Sequence, residues 1–266
     1  MSTTAPAFLP RIPRRFRHAW DVVMVLVDRD IKVLYQRSWL GLTWAVATPL
    51  LQLIVFVTIF RRVLVVPVDN YASSVFMAVL VWGWFHASLV QSTTLITGNA
   101  ALVRQPRFPL TMLPHVTVGV RLFHFALALP ILLIVMAWQG VRPDWPWLAL
   151  PLLISVQFAL IAGLAYPLAA LNVRLRDTQH VTGVGLQLLM YLTPIFYSLD
   201  SIPTRVRGWM YLNPMVGLVE SWRDVLLRNR WPDPVVVGSL ALLAAVFLLV
   251  GRRVFIAESR HFAEEL

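Results

Sequence analysis

From Leu40 to Phe60 the chain runs for 21 residues without a charged side chain. At about 1.5 Å of rise per helical residue, such a run reaches ~32 Å, close to the ~30 Å hydrocarbon core of a bilayer. A backbone in lipid has to satisfy its own hydrogen bonds, so only a helix or a closed barrel can use such a run. This one is too long and too continuous for the alternating strands of a barrel, which leaves a helix.

Five more weakly charged apolar stretches follow. The spacing predicts an all-α membrane protein with six transmembrane helices at about 40–60, 71–97, 112–138, 147–171, 181–199 and 235–250. Composition agrees: 58% of the residues are hydrophobic, 14% are charged and the mean hydropathy is +0.70, too few polar groups to cover a soluble domain. Three regions are expected: a cytoplasmic N-terminus over 1–38, one membrane domain over 39–256 and a cytoplasmic tail over 257–266.

Six spans put both termini on one side. With the termini inside, the inner segments hold 14 Lys and Arg and the outer segments 8, with Arg121 left inside a span. The balance favours cytoplasmic termini, although five of the outer arginines fall between residues 200 and 233. Arg121 either marks a functional site within the bilayer or snorkels to its inner surface. The net charge of +10 is spread as membrane flanks, without a long basic block or an aromatic RNA-binding motif, so no nucleic-acid partner is expected. No cleavable signal is expected either, because the first apolar run, 22–27, is closed by Asp21 and Asp28.

Ahead of the first span, Phe16, Trp20, Val23, Val27, Ile31 and Leu34 recur at spacings of three or four. A polar stripe opposite them completes an amphipathic helix suited to the membrane surface or to a soluble partner. The segment 200–233 also carries apolar residues at helical spacing, around an Asn213-Pro214 break. It reads as two short helices on or in the outer leaflet. Pro49, Pro114, Pro167 and Pro194 are expected inside or at the head of spans, where they permit kinks.

Several chemistries are excluded. A phosphate loop needs a Gly-Lys-Ser/Thr ending, but Lys32, the chain's one lysine, follows Ile31. There is no cysteine, hence no thiolate metal site, and H-E-x-x-H and G-x-S-x-G are absent. The six histidines share no convincing metal-binding face. An ion-coupled transporter would want acids inside its spans, and these spans contain none. A membrane-embedded glycosyl- or acyltransferase would want paired acids at one membrane edge. Glu220 and Asp224 come nearest, and Arg223 and Arg228 offer them ordinary pairing.

Four local patterns point further. Tyr35-Gln-Arg-Ser-Trp-Leu-Gly-Leu-Thr-Trp44 precedes Pro49. Asn99-Ala-Ala-Leu-Val-Arg-Gln-Pro-Arg-Phe-Pro109 runs on to Leu113-Pro114. Arg176-Asp177 leads to Thr193-Pro194, and Leu212-Asn-Pro-Met215 is followed by Glu220 and Arg223. In this order and at these separations the chain resembles the permease subunits of type-2 ABC exporters, in particular those that export lipid-linked polysaccharides such as O-antigen.

The resemblance implies a bacterial inner-membrane permease that pairs with itself and with two copies of a separate ABC ATPase. ATP and Mg would be bound by that partner, with no cofactor and no catalytic residue in this chain. Its cargo would be an undecaprenyl-linked polysaccharide; capsule, teichoic-acid and drug exporters are the alternatives. The implied ATPase-coupling segment holds Asn99, Leu102, Arg104, Arg107, Phe108 and Pro109, with Phe108 as apolar anchor and the arginines for charge complementarity. Arg176 and Asp177 would add a smaller contact. The amphipathic helix becomes a doorway for the lipid anchor, where Arg14, Arg15 and Arg17, with Tyr35 and Arg37, would meet a pyrophosphate head group or equally well ordinary anionic lipid. Trp44, Trp82, Phe85, Tyr191, Phe196 and Tyr197 are pore candidates, since sugar rings slide over flat apolar faces. Asn213 and Pro214 would belong to the outer gate.

Overall fold

A computed structural model describes residues 23–32, 43–58, 70–105 and 108–265, and every regular element among these residues is helical. In chain order they are α1 (23–32), α2 (Thr43–Thr58), α3 (Tyr71–Thr93), α4 (Ala100–Val103), α5 (Leu113–Trp138) and α6 (Leu150–Arg174). There follow α7 (Thr178–Tyr191), α8 (Thr204–Met210), α9 (Pro214–Leu226), α10 (Pro234–Glu258) and α11 (Phe262–Glu265). Four helical stretches are long and apolar enough to cross a membrane, Tyr71–Thr93, Leu110–Trp138, Trp145–Arg174 and Pro234–Glu258. They answer to the second, third, fourth and sixth expected spans.

The boundaries differ where backbone chemistry outranks hydropathy. The fifth expected helix stops at Tyr191, short of residue 199, so Pro194 lies beyond its end and not within it. Pro194 has no N–H to donate and biases its predecessor away from helical geometry. Thr193 turns its hydroxyl back to the Leu189 carbonyl at 2.7 Å, closing the last turn. In contrast α10 continues past residue 250 through Arg252 and Arg253 to Glu258, because charge ends a hydropathy window without ending a hydrogen-bonded helix. Pro49 lies inside α2, Pro167 inside α6 and Pro114 in the first turn of α5.

The centre of the bundle is α3, which packs against α2, α5, α6, α7 and α9. It is buried nearly all round: Phe76, Met77, Ala78 and Val81 are at most 1% exposed. A helix surrounded this way is apolar on every side, and its few polar positions have to be answered by neighbours. Gln157 of α6 donates to the Val81 carbonyl at 2.9 Å and accepts from the Trp222 indole of α9 at 3.3 Å. The Trp84 indole reaches the Val118 carbonyl of α5 at 3.3 Å. Ser73 is held by Gln139 just beyond α5.

The tightest crossing joins α6 to α10. A Cβ added at Gly163 would come within 2.6 Å of the Leu248 backbone nitrogen, and one at Gly251 would overlap the Gly163 carbonyl. Two glycines facing each other let the helix backbones touch, a device suited to lipid, where helices associate through van der Waals packing.

The bundle has two ends with separate cores. At one end Leu95, Ile96, Val103, Leu113, Tyr166, Val173 and Phe255 gather into a second apolar cluster, covered by Val23, Leu26, Val27 and Ile31 of α1. The expected apolar face of the N-terminal helix thus includes Val23, Val27 and Ile31, with Leu26 added, while Phe16, Trp20 and Leu34 lie outside the described residues. The opposite end collects the start of α3, the α5–α6 connection and α7's continuation into α8 and α9. The predicted pair of short helices around Asn213-Pro214 is α8 and α9, but only α9 enters the core: eleven of its thirteen residues are buried and none of α8's is.

The α6–α10 crossing leads to a matched pair of substitutions. Gly251→Ala overpacks a backbone contact, which costs about 1–3 kcal/mol, and should lower the melting temperature of the solubilised protein. Gly238→Ala, on the same helix with nothing within 4 Å of its new Cβ, should leave that temperature unchanged or raise it.

Candidate functional site

Two faces of the bundle concentrate polar groups, one at each end. The first is the connection from α3 to α5. After Thr93 the chain tightens into a 3-10 turn, Thr97–Asn99, and one turn of α-helix, α4. The Asn99 side chain donates back to the Leu95 carbonyl at 2.9 Å, so the turn is braced from within. Beyond α4, Arg104 and Gln105 are exposed, while Val103 is buried and Leu102 half-buried. Phe108 and Pro109 are half-buried, and Phe108 packs with Leu102 on the chain's own second cluster, so only part of that ring is free to anchor anything else. Arg107 lies outside the described residues.

Arg176 and Asp177 sit exposed in the turn between α6 and α7, at the same end of the bundle. Arg174, the last residue of α6, reaches Glu258 of α10 at 2.6 Å and Glu265 of α11 at 3.6 Å. This end therefore presents a short exposed helical turn and a second polar turn on a common apolar base. Arg14, Arg15, Arg17, Tyr35 and Arg37 are outside the described residues.

The second face is built around α9. Asn213 sets its start: the side-chain oxygen accepts from the Met215 amide at 3.0 Å and the amide nitrogen donates to the Thr193 hydroxyl at 2.8 Å. Pro214 occupies the first turn, where its missing N–H costs nothing. One residue pair thus ties the head of α9 to the end of α7. Further along, Arg223 is 5% exposed and Glu220 8%, and their side chains meet at 2.6 Å. The Arg223 guanidinium also donates to the Ser74 hydroxyl of α3 at 3.1 Å and to the carbonyls of Pro194 and Ile195. Arg228 bridges Glu220 at 3.1 Å and Asp224 at 2.8 Å. Burial works against the Arg228 charge, yet its hydrogen bond to Asp224 and the attraction of Glu220 outweigh that and raise its pKa.

Two cavities flank this cluster. One of about 240 Å³ is lined by Tyr71, Ser74, Phe196, Tyr197 and Arg223. The other, about 230 Å³, lies among Arg207, Tyr211, Glu220, Asp224 and Arg228. Burial first, then the Glu220 and Asp224 charges, push the Tyr211 hydroxyl up, so it stays a neutral donor.

The expected pore aromatics divide sharply. Trp82 and Phe85 are 3% and 2% exposed, tilted against each other at 5.5 Å inside the protomer. Both are buried between neighbouring helices of this chain and present little surface within it. Trp44 on α2 and Tyr191 at the end of α7 are exposed at 49% and 64%. Phe196 and Tyr197 are half-buried beside the first cavity: the Phe196 carbonyl accepts from the Tyr71 hydroxyl at 3.1 Å, and the Tyr197 hydroxyl donates to the Tyr191 carbonyl at 3.2 Å. Sequence reasoning missed Tyr71 and Ser74, which carry no local signal and join the site only through α3 meeting α9. Arg121, expected either to serve a function or to snorkel, donates to Gln91 of α3 at 2.8 Å.

Long apolar helices around an enclosed central one, with polar faces confined to the two ends, define a multi-pass helical membrane protein. Residues 21–227 match the ABC-2 type transporter family, and the chain belongs to that family. It is 31% identical over 258 residues to the O-antigen export system permease protein RfbA of Myxococcus xanthus, an alignment covering 96% of this chain and 99% of that protein. The protein of the same name from Klebsiella pneumoniae is 29% identical over 94% of this chain and 96% of its own length. The polysialic acid transport protein KpsM of Escherichia coli is 23% identical over 88% of this chain and 94% of its own. These relatives are transport proteins, which agrees with a role in transport and not in covalent chemistry.

The depth of the α9 cluster separates its two arginines. Arg223→Met leaves Glu220 with Arg228 alone and takes the guanidinium from the buried Pro194 and Ile195 carbonyls, and should cost about 3 kcal/mol. Arg228→Met, at a half-exposed pair, should cost about 1 kcal/mol or less. Thermal unfolding of the two purified variants against the parent chain measures the difference.

Proposed function

We propose that this chain is the membrane-spanning subunit of an ATP-driven exporter that carries an undecaprenyl-linked polysaccharide of the O-antigen type across the bacterial inner membrane. The observation that carries the reading is the near full-length similarity to O-antigen export permeases, in a chain that lacks a phosphate loop and exposes a braced helical turn at Ala100–Val103. A capsule-type polymer is the second reading, favoured by the weaker similarity to a polysialic acid transport protein.

In this reading the chain crosses the membrane six times with both termini in the cytosol. α2 belongs to the uncharged 21-residue run and supplies the first crossing. α7 supplies the fifth despite its 14 residues, about 21 Å of helix, because the chain continues from Tyr191 to Phe196, whose carbonyl meets Tyr71 at the far end of α3. The half with α4 and the α6–α7 turn faces the cytosol and the half with α9 faces outward.

Two such chains form the conduit, each seated on one copy of an ABC ATPase that binds ATP and Mg. Arg104 and Arg107 offer charge to the ATPase surface, Phe108 and Leu102 hold the turn on its apolar base, and Arg176 and Asp177 make a second contact. Nucleotide-dependent closure of the ATPase pair shifts the permease only through contacts that differ between nucleotide states, so a stiff connection at α4 is a physical requirement. The N-terminal helix, with Arg14, Arg15, Arg17, Tyr35 and Arg37, admits the phosphate end of the lipid carrier from the inner leaflet. At the outer end Asn213 and Pro214, with Phe196 and Tyr197, form the gate, and Trp44 and Tyr191 offer flat faces to the sugar chain.

Replacing Arg107 and Phe108 together by Ala is expected to leave membrane insertion intact and to abolish transport-coupled ATP hydrolysis. Surface polysaccharide in cells complemented with the variant, and ATPase activity of the reconstituted complex, provide the check; unaltered export would refute the coupling role.

A further inference from the structure

The last turn of the chain does something that export alone does not require. After α10 the backbone reverses within three residues, with the His261 amide on the Glu258 carbonyl at 2.9 Å, and α11 folds back against both α4 and α6. Its Phe262 is 2% exposed, as deep as the core of the bundle.

Phe262 lies edge-on to Phe255 at 5.3 Å, and Phe255 lies edge-on to Tyr166 at 5.3 Å. The Tyr166 hydroxyl then donates to the Thr111 carbonyl at 2.8 Å, in the turn that returns the chain from the α4 segment to α5. An aromatic column thus runs from the C-terminal helix through α10 and α6 to the exit of the α4 loop, while α11 itself touches the loop's helical turn. Arg174 fastens the outside of the column by pairing with Glu258 and Glu265. Behind it, α6 and α10 are in backbone contact at Gly163 and Gly251 and have little room to slide independently.

We propose that α11 is a positioning element for the α4 coupling loop, with Phe262 as the positioning residue, so that a push on α4 moves α6 and α10 as one body instead of bending the loop. The proposal rests on the reading of α4 as the contact with an ATPase. A single turn of helix cannot hold its own shape in water, since helix nucleation is unfavourable at that length. Its stiffness has to come from tertiary contacts: Val103 and Leu102 supply the apolar base, and α11 supplies the wall beside it.

The chain's lack of cysteine allows a direct test. A nitroxide on Arg104→Cys, at an exposed position next to α4, reports the mobility of the loop in the full-length protein reconstituted without any ATPase. Phe262→Ala should raise that mobility and Phe262→Leu, which keeps most of the apolar bulk, should largely restore it. With the unlabelled chain and its ATPase, Phe262→Ala should still co-purify with the ATPase, while polymer exported per ATP hydrolysed falls by about tenfold, within the usual range of coupling between sites. Equal mobility in the parent and Phe262→Ala proteins overturns the proposal, as does raised mobility with unchanged export per ATP. Should Phe262→Ala fail to accumulate in membranes, the same comparison is made between the parent and Phe262→Leu, where a smaller rise in mobility is expected and none overturns the proposal. If the unaltered chain neither binds an ATPase nor exports polymer, the functional reading fails, and the spin-label comparison still decides whether α11 holds the loop.

Discussion

Every polar group that this chain withdraws from water has to find its partner within the chain or lose several kcal/mol, because lipid offers no hydrogen bonds. That requirement explains the arrangement of α3. A helix enclosed by five others could have been purely aliphatic, yet Gln157 and Trp222 meet over its Val81 carbonyl and Gln139 holds its first turn at Ser73. These bonds give direction to a packing that van der Waals contact alone would leave free to rotate. α9, although short, becomes part of the core through the same logic, since Trp222 and Arg223 both need acceptors that other elements supply.

The two ends of the bundle solve opposite problems. The α9 end buries charge, and a buried arginine persists because it is saturated: Glu220, Ser74 and two carbonyls of the 194–195 stretch surround it. Such a cluster contributes little net stability over an apolar equivalent, but it allows few alternative arrangements. It ties α9, α3 and the segment after α7 into one defined geometry. The α4 end exposes charge on a short turn and relies on apolar and aromatic contacts beneath it for shape.

Legibility followed the range of the interaction. Hydropathy located three of the long helices to within about four residues but stopped eight short of the end of α10, and the Asn213-Pro214 break correctly separated α8 from α9, since capping and proline effects act within one turn. The pairing of Glu220 and Asp224 with Arg223 and Arg228 was likewise readable from helical spacing. Their burial was not, because it depends on Ser74, 149 residues away in sequence. Trp82 and Phe85 show the same limit from the other side: an aromatic on an apolar helix looks alike whether it faces a conduit, lipid or a neighbour. Only the central position of α3 showed that both are buried within this chain.

The amino-acid sequence by itself determined the solvent this protein lives in, its helical class, its lack of a phosphate-loop motif and the turns where Pro and Asn interrupt its helices. These are consequences of composition and of local backbone chemistry, which act over a few residues. The tertiary structure alone decided which helix lies in the middle, that the ion cluster of α9 is buried, and that the turn of α11 closes against the α4 loop. Those outcomes come from contacts between segments far apart in the chain, whose free energy depends on a meeting that no single stretch of residues encodes.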